Sequence, residues 1–385
     1  MSDEHTGEVI KGEVSRKGRV TFAEYMNLAL YHPTEGYYMK DREKIGAAGD
    51  FYTSPDVSPL FGYVLADQME EMWRLSETPD EWVLVEFGAG KGILARDILK
   101  HISVKYPDFF KSLGYCIIEK SPPMIARQKK ILSEMAAPGR GIRWLDGLEE
   151  LQAAGVNGCF FSNELVDAFP VHRVIKEKGE LREIYVACIN GDLREATGSP
   201  SRRELCDYIT EFQIDLENGQ IIEINLAMRE WLKNIARTIA RGFVLTIDYG
   251  DISGRLYSPL RPGGTIRSYY RHQLLDSLYE KPGAQDITSH VNFTALIKWG
   301  EEAGLKAAGY TSQMYFLLNS GIFDYLDQPA AGAQFNPLLM KKTLAVKKLI
   351  MPEGMGSVFK VALQYRGFDS DPAITGFKGG FGSRA

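Results

Sequence analysis

Five short, almost unbroken apolar runs punctuate residues 82–250: WVLVEF, YCII, IRWL, GCFFS and GFVLTI. Each is followed within two residues by a glycine or a carboxylate. Runs that do not alternate are expected of parallel strands covered on both faces. Amphipathic stretches separate them. In "ILARDILKHI" the side chains Ile93, Leu94, Ile98, Leu99 and Ile102 share one side, and "SPPMIARQKKILSEM" carries a Ser cap with Pro at the first helical positions. Strands alternating with helices predict a doubly wound α/β sheet.

The pattern differs elsewhere. Thr21 caps a short helix in "TFAEYMNLALYHP" that stops before Pro33, and "LFGYVLADQMEEMWRL" reads as a longer helix. Between the fourth and fifth apolar runs, "VHRVIKEKGELREIYVACINGDLREA" alternates and contains "KG" and "NG" turns, the mark of an inserted antiparallel meander. Residues 251–290 read as a long Gly/Pro/Arg/Tyr loop. "FTALIKWGEEAGL" and "LLMKKTLAVKKLI" read as helices, and "SVFKVALQYRG" as a late sheet strand. The expected organisation is a flexible N-terminus over 1–18 and a helical and loop lid over 19–80. A core follows over 81–170 and 241–366, with a loop and helical lobe at about 251–350. An inserted β-rich lobe covers 171–240 and a disordered tail 367–385.

Composition narrows the function classes. The 385 residues are 44% apolar and 25% charged, ordinary values for a globular chain with a sizeable core. A net charge of −5 argues against nucleic acid, because phosphate binding wants a basic face. Cys116, Cys159, Cys188 and Cys206 show no CxxC spacing, so neither a disulfide framework nor a metal site is expected, and the compartment is expected to be reducing. No apolar stretch approaches the roughly 18 residues a membrane span needs. The N-terminus has no apolar signal region, nor the look of a transit peptide. The expected location is the cytoplasm of a bacterium, or the mitochondrial matrix for a eukaryotic chain.

The first strand runs into "VEFGAGKG", with Gly88, Gly90 and Gly92 at G-x-G-x-G spacing before a helix. Glycines there let backbone approach a ligand, and the helix N-terminus offers free N–H groups. A dinucleotide site wants G-x-G-x-x-G and an acid about 20 residues on. Here the third glycine comes one residue early, and Glu119, at the tip of the second strand, lies beyond that distance. Glu86 before the glycines and Glu119 after the second strand favour S-adenosylmethionine over NAD, with Glu119 accepting from ribose hydroxyls. Asp146, ending the third strand, is placed near the adenine, with a plain helix cap as its alternative.

Several blocks together resemble the MidA-like methyltransferases, a family that includes the mitochondrial complex I assembly-factor arginine methyltransferase and bacterial relatives. The blocks are "GDFYTSPDVSPLFG", "VEFGAGKGILARDIL", "IIEKSP", "SNELVDAFPVHR", "DYG", "GGTIRSYYRH" and "PGAQDITSHVNF". This chain departs at Ala89, where the family often has Pro, and at Asn292, where Asp is common. The resemblance implies a Rossmann-like seven-stranded class I sheet, with S-adenosyl-L-methionine as donor and S-adenosyl-L-homocysteine as product. It also implies that Asp50, Tyr52, Thr53 and Ser54 close over the donor's methionine end.

Methyl transfer from a sulfonium rests on alignment and water exclusion. If the acceptor is a guanidinium, a carboxylate can hold it bidentately and stabilise its charge. Glu164, after the fourth strand, is the candidate, with Asn163 contacting donor or acceptor. Asp167 is divided between the site and a helix cap, and His172 between proton acceptor and structural histidine. Asp286 and His290 are candidates for an acceptor channel. The expected partner is an arginine-bearing protein subunit; no nucleic acid is expected, and a homodimer is left open. Two other classes stay in view: an assembly protein that retains the donor fold without turnover, and an NAD-dependent oxidoreductase.

Overall fold

The structure is a computed structural model, and it describes residues 3–42, 53–133, 138–152, 155–326 and 337–379. In chain order the first strands are β1 (Arg19–Thr21), β2 (Trp82–Phe87), β3 (Leu113–Ile118), β4 (Ile142–Leu145) and β5 (Val156–Asn163). Next come β6 (His172–Glu177), β7 (Glu180–Ile189), β8 (Asp192–Gly198), β9 (Ile221–Ile224) and β10 (Ile239–Asp251). The short β11 (Arg267–Tyr270), β12 (Gln273–Leu274), β13 (Asp286–Thr288) and β14 (Val291–Asn292) precede β15 (Lys306–Ser312) and β16 (Phe359–Arg366). The chain divides into two compact units.

The first unit gathers the described residues of 52–165, 232–249 and 297–385. Its sheet runs β15-β16-β10-β5-β2-β3-β4. The five strands from β10 to β4 are parallel, and β16 runs antiparallel to both β10 and β15. This seven-strand order is that of a class I methyltransferase sheet, as expected. Long apolar strands such as WVLVEF and LGYCII are buried over nearly their whole length because helices cover both faces. Leu65, Met69, Leu99, Phe161, Leu245 and Phe316 belong to the resulting core.

The second unit gathers the described residues of 1–51, 166–231 and 250–296. The alternating stretch after residue 171 forms the expected antiparallel meander, in which β7 pairs with β6 and β8, and β6 pairs with β9. β1 adds to β7 from the N-terminal stretch. A small sheet of β12-β11-β13 lies within residues 251–290, where a loop was expected.

Two further expectations are corrected. Residues 3–17 form a helix rather than a frayed end; Ile10 and Val14 are fully buried beside Val20 and Val186. In the tail, Ile374 is buried in the core and Thr375–Phe377 makes a helical turn, its Thr375 N–H and hydroxyl held by Glu71. Residues 380–385 lie outside the described residues.

A candidate active site at the carboxyl edge of the sheet

Register places the candidate residues together. Phe87 of β2 lies beside Ile118 of β3 and Ser162 of β5, and Asn163 lies beside Ile247 of β10. The next residues, Gly88, Glu119, Glu164 and Asp248, therefore line up across four adjacent parallel strands at one edge, Asp248 still within β10. Strand order reverses between β2 and its neighbours there, the position where open α/β sheets form their cleft.

Gly88, Gly90 and Gly92 all have positive φ, at 64°, 52° and 84°. A Cβ on Gly88 would come within 2.8 Å of Leu165 Cδ1, and one on Gly92 within 3.3 Å of Gln128. The turn thus needs glycine both for its backbone and for its closeness to neighbours. It opens onto the helix Ile93–Lys105, whose first N–H groups have no partner within the helix itself. Lys91 pairs with Asp56 at 3.1 Å, joining the turn to the short helix Ser54–Val57.

The Glu119 carboxylate is held by the Ser121 N–H (2.9 Å) and by Gln128 Nε2 (3.1 Å). Gln128, fully buried, also donates to the Gly90 carbonyl at 2.8 Å and accepts from Trp144 Nε1 at 3.0 Å. One amide therefore ties the glycine turn, the β3 acid and the end of β4. Sequence reading missed Gln128; its signal was a lone neutral polar residue on the inner side of the helix Pro122–Leu132. Asp146 is exposed, and its backbone N–H donates to Glu150. Glu86 is buried with the Tyr115 hydroxyl 2.7 Å from its carboxyl, and burial raises its pKa to about 7.

Glu164 departs from ordinary backbone geometry, with φ at +55°. A non-glycine residue in that region stores strain, and such strain clusters at functional sites. Its Oε1 accepts from the Ser54 N–H and from Asn163 Nδ2, both at 3.1 Å, and its Oε2 from the Tyr249 hydroxyl at 3.3 Å. Burial, more than the neighbouring Asp248 charge, raises its pKa to about 8. Asn163 Oδ1 is buried with no hydrogen-bond partner.

The remaining candidates divide by unit. Thr53 and Ser54 belong to the unit of the glycine turn, where Thr53 and Asp56 form a reciprocal cap. Asp50 and Tyr52 lie outside the described residues. Asp167, His172, Asp286 and His290 belong to the other unit. There Asp167 is buried in a single helical turn, Val166–Ala168. His172 Nδ1 shares a 2.7 Å hydrogen bond with Glu183, and Asp286 accepts from the Tyr38 hydroxyl at 2.9 Å. The His290 N–H donates to Thr265. Among the described residues no group of three or more metal-ligating side chains is present.

These features fit a nucleoside-bearing methyl donor: positive-φ glycines at a helix start, a braced acid at the tip of β3, and an orphaned buried acceptor on Asn163. Residues 64–311 match the profile of a family described as "Putative S-adenosyl-L-methionine-dependent methyltransferase". The chain is similar over 98% of its length to a "likely methyl transferase from Burkholderia thailandensis bound to S-adenosyl-homocysteine". That likeness has 32% identity and a TM-score of 0.86, and covers 95% of the other chain. It is 28% identical over 91% of its length, and 84% of the relative's, to the Danio rerio "Protein arginine methyltransferase NDUFAF7, mitochondrial". The Drosophila melanogaster homolog of that enzyme is 27% identical, with 93% and 84% covered. The chain belongs to the MidA-like family of S-adenosyl-L-methionine-dependent methyltransferases, and S-adenosyl-L-methionine is its cofactor.

Proposed function

We propose that this methyltransferase acts on an arginine side chain of a partner protein, with Glu164 gripping the guanidinium. The observation that carries the reading is the Glu164 carboxylate itself: held by three donors, set in a strained turn, and flanked by the unsatisfied Asn163 Oδ1. The printed names of the relatives support the same acceptor class.

The bound donor supplies an electrophilic methyl group. The protein's part is alignment. Gly88, Ala89, Gly90 and Gly92 would bring backbone against the donor, Glu119 would accept from its ribose hydroxyls, and Asp146 would lie toward its adenine. Glu86 backs the turn through Tyr115, and Ser54 closes the methionine end. As the acceptor nitrogen forms its bond to the methyl carbon, the carbon–sulfur bond breaks and its electron pair stays on sulfur. The acceptor nitrogen loses one proton, which passes to bulk water. Glu164 as carboxylate offsets the positive charge during this step, and Oε2, which holds a single donor, receives the N–H. Asp167, His172, Asp286 and His290 are assigned no step.

The test uses labelled S-adenosylmethionine, lysate from a host strain lacking the gene, and acid hydrolysis of the labelled protein. Wild type is expected to yield labelled methylarginine. Glu164→Gln should bind S-adenosylhomocysteine within about twofold of wild type and lose transfer by roughly 100-fold or more. Label on another residue type overturns the arginine acceptor, and full transfer by Glu164→Gln overturns the role of Glu164. If wild type labels no protein at all, an assembly protein without turnover becomes the better description.

A further inference from the structure

Asp248 and Tyr249 near the end of β10 are given no role of their own above, beyond the Tyr249 hydroxyl that holds Glu164, yet both flank the Glu164 turn. We infer that Asp248 and Tyr249 are a positioning pair that fixes the Glu164 carboxylate and decides which of its oxygens meets the acceptor. This inference rests on Glu164 being the acceptor-gripping acid.

Asp248 is completely buried and reaches both sides of the turn. Its Oδ2 accepts from the Leu165 N–H at 3.1 Å, and its Oδ1 from the Tyr249 N–H at 2.8 Å. The Glu164 N–H meanwhile donates to the Ile247 carbonyl at 2.9 Å, extending the β5–β10 ladder by one residue. Glu164 is thus pinned on both flanks, and that pinning lets a glutamate keep a φ of +55°. The Tyr249 ring packs on Phe359 with centroids 4.1 Å apart, so its hydroxyl stays directed at Glu164.

The two carboxylate oxygens have unlike partners. Both donors to Oε1 are N–H groups, which can only donate; the partner of Oε2 is a hydroxyl, which can donate or accept. When Glu164 carries a proton, that proton therefore sits on Oε2 and the Tyr249 hydroxyl accepts it. When Glu164 is ionised, the same hydroxyl donates. Oε2 is the oxygen that exchanges its proton for an acceptor N–H, and Tyr249 is bonded to it in both states. Among the described residues the charged groups near Glu164 are Asp248 on β10, Lys360 across from Asp248 on β16, and the Asp56–Lys91 pair beside Thr53. A serine N–H, an amide and a hydroxyl make the direct contacts.

The two residues act on Glu164 with opposite sign. Tyr249 stabilises the ionised carboxylate, whereas the Asp248 charge opposes it. Infrared difference spectroscopy against pH reads the protonated carboxyl band that disappears in Glu164→Gln, and it needs no acceptor. Tyr249→Phe is expected to raise the midpoint of that band by about one pH unit, and Asp248→Asn to lower it. Both should leave S-adenosylhomocysteine binding by calorimetry within about threefold of wild type. In the label-transfer assay, Tyr249→Phe should move the acid limb of the rate to higher pH, costing more activity at pH 7 than at pH 9. A midpoint unmoved in Tyr249→Phe, or transfer reduced by one factor at every pH, overturns the pairing. Because the infrared readout involves no substrate, an incorrect acceptor class would leave that result standing.

Discussion

At the residue scale the clearest division lies between groups proposed to hold a ligand and groups that brace them. Glu119 is an acid at a strand tip, which sequence can point to; Gln128, which braces it, emerges only from contacts. Gln128→Ala removes the donors to Glu119 and to the Gly90 carbonyl together and leaves Trp144 Nε1 unpaired. We expect S-adenosylhomocysteine affinity to fall roughly tenfold, equivalent to about 1.4 kcal/mol, as measured by calorimetry at a temperature where the fold is intact. Unchanged affinity would show that Glu119 needs no brace. Glu164 was legible as a carboxylate after a strand. Its left-handed backbone, its split hydrogen bonding and its lifted pKa were not, because they depend on burial and on contacts with segments more than 80 positions away, Ser54 and the end of β10.

At the element scale, long apolar runs were read most directly. β2, β3, β5 and β10 are buried on both faces, so their composition alone carries the signal. Elements with a weak signal of their own were lost. β15, KAAGYTS, is made of small and polar residues and exists because β16 pairs along it. The helix Asp3–Lys17 is mostly polar, and Ile10 and Val14 are the buried apolar side chains among its described ones. This gives a sharp test of the corrected N-terminus: Ile10→Ala should lower stability by about 2–4 kcal/mol, as for other buried aliphatic truncations, in urea unfolding followed by circular dichroism. A frayed end would show no loss. Residues 251–290 were read as loop because β11 to β13 are only two to four residues long, too short for any period to show.

At the scale of the whole molecule, two acids whose pKa values folding raises toward neutrality, Glu86 buried and Glu164 half-buried, make stability depend on pH. Folding raises Glu86 from 4.5 to about 7 and Glu164 from 4.5 to about 8, in both cases through burial. The native chain then keeps protons that the unfolded chain has released. Their contribution is complete below about pH 4.5 and is lost as pH rises through about 7 for Glu86 and about 8 for Glu164. The ligand-free protein should therefore melt at progressively lower temperature from pH 5 to pH 8.5. The difference between wild type and Glu86→Gln isolates the Glu86 part and should level off just above pH 7; a difference constant across the range would contradict it. The sequence by itself determined the α/β sheet, its five parallel strands, the glycine turn and the carboxylates at the strand ends. Those features follow from burial on both faces and from backbone conformations that favour glycine, and both are local. Tertiary structure alone decided which acid is braced, which oxygen is left open, which titrates near neutrality, and that a polar N-terminal stretch joins a core. Those properties arise from contacts between distant segments, whose desolvation and hydrogen bonding no stretch of the chain records alone.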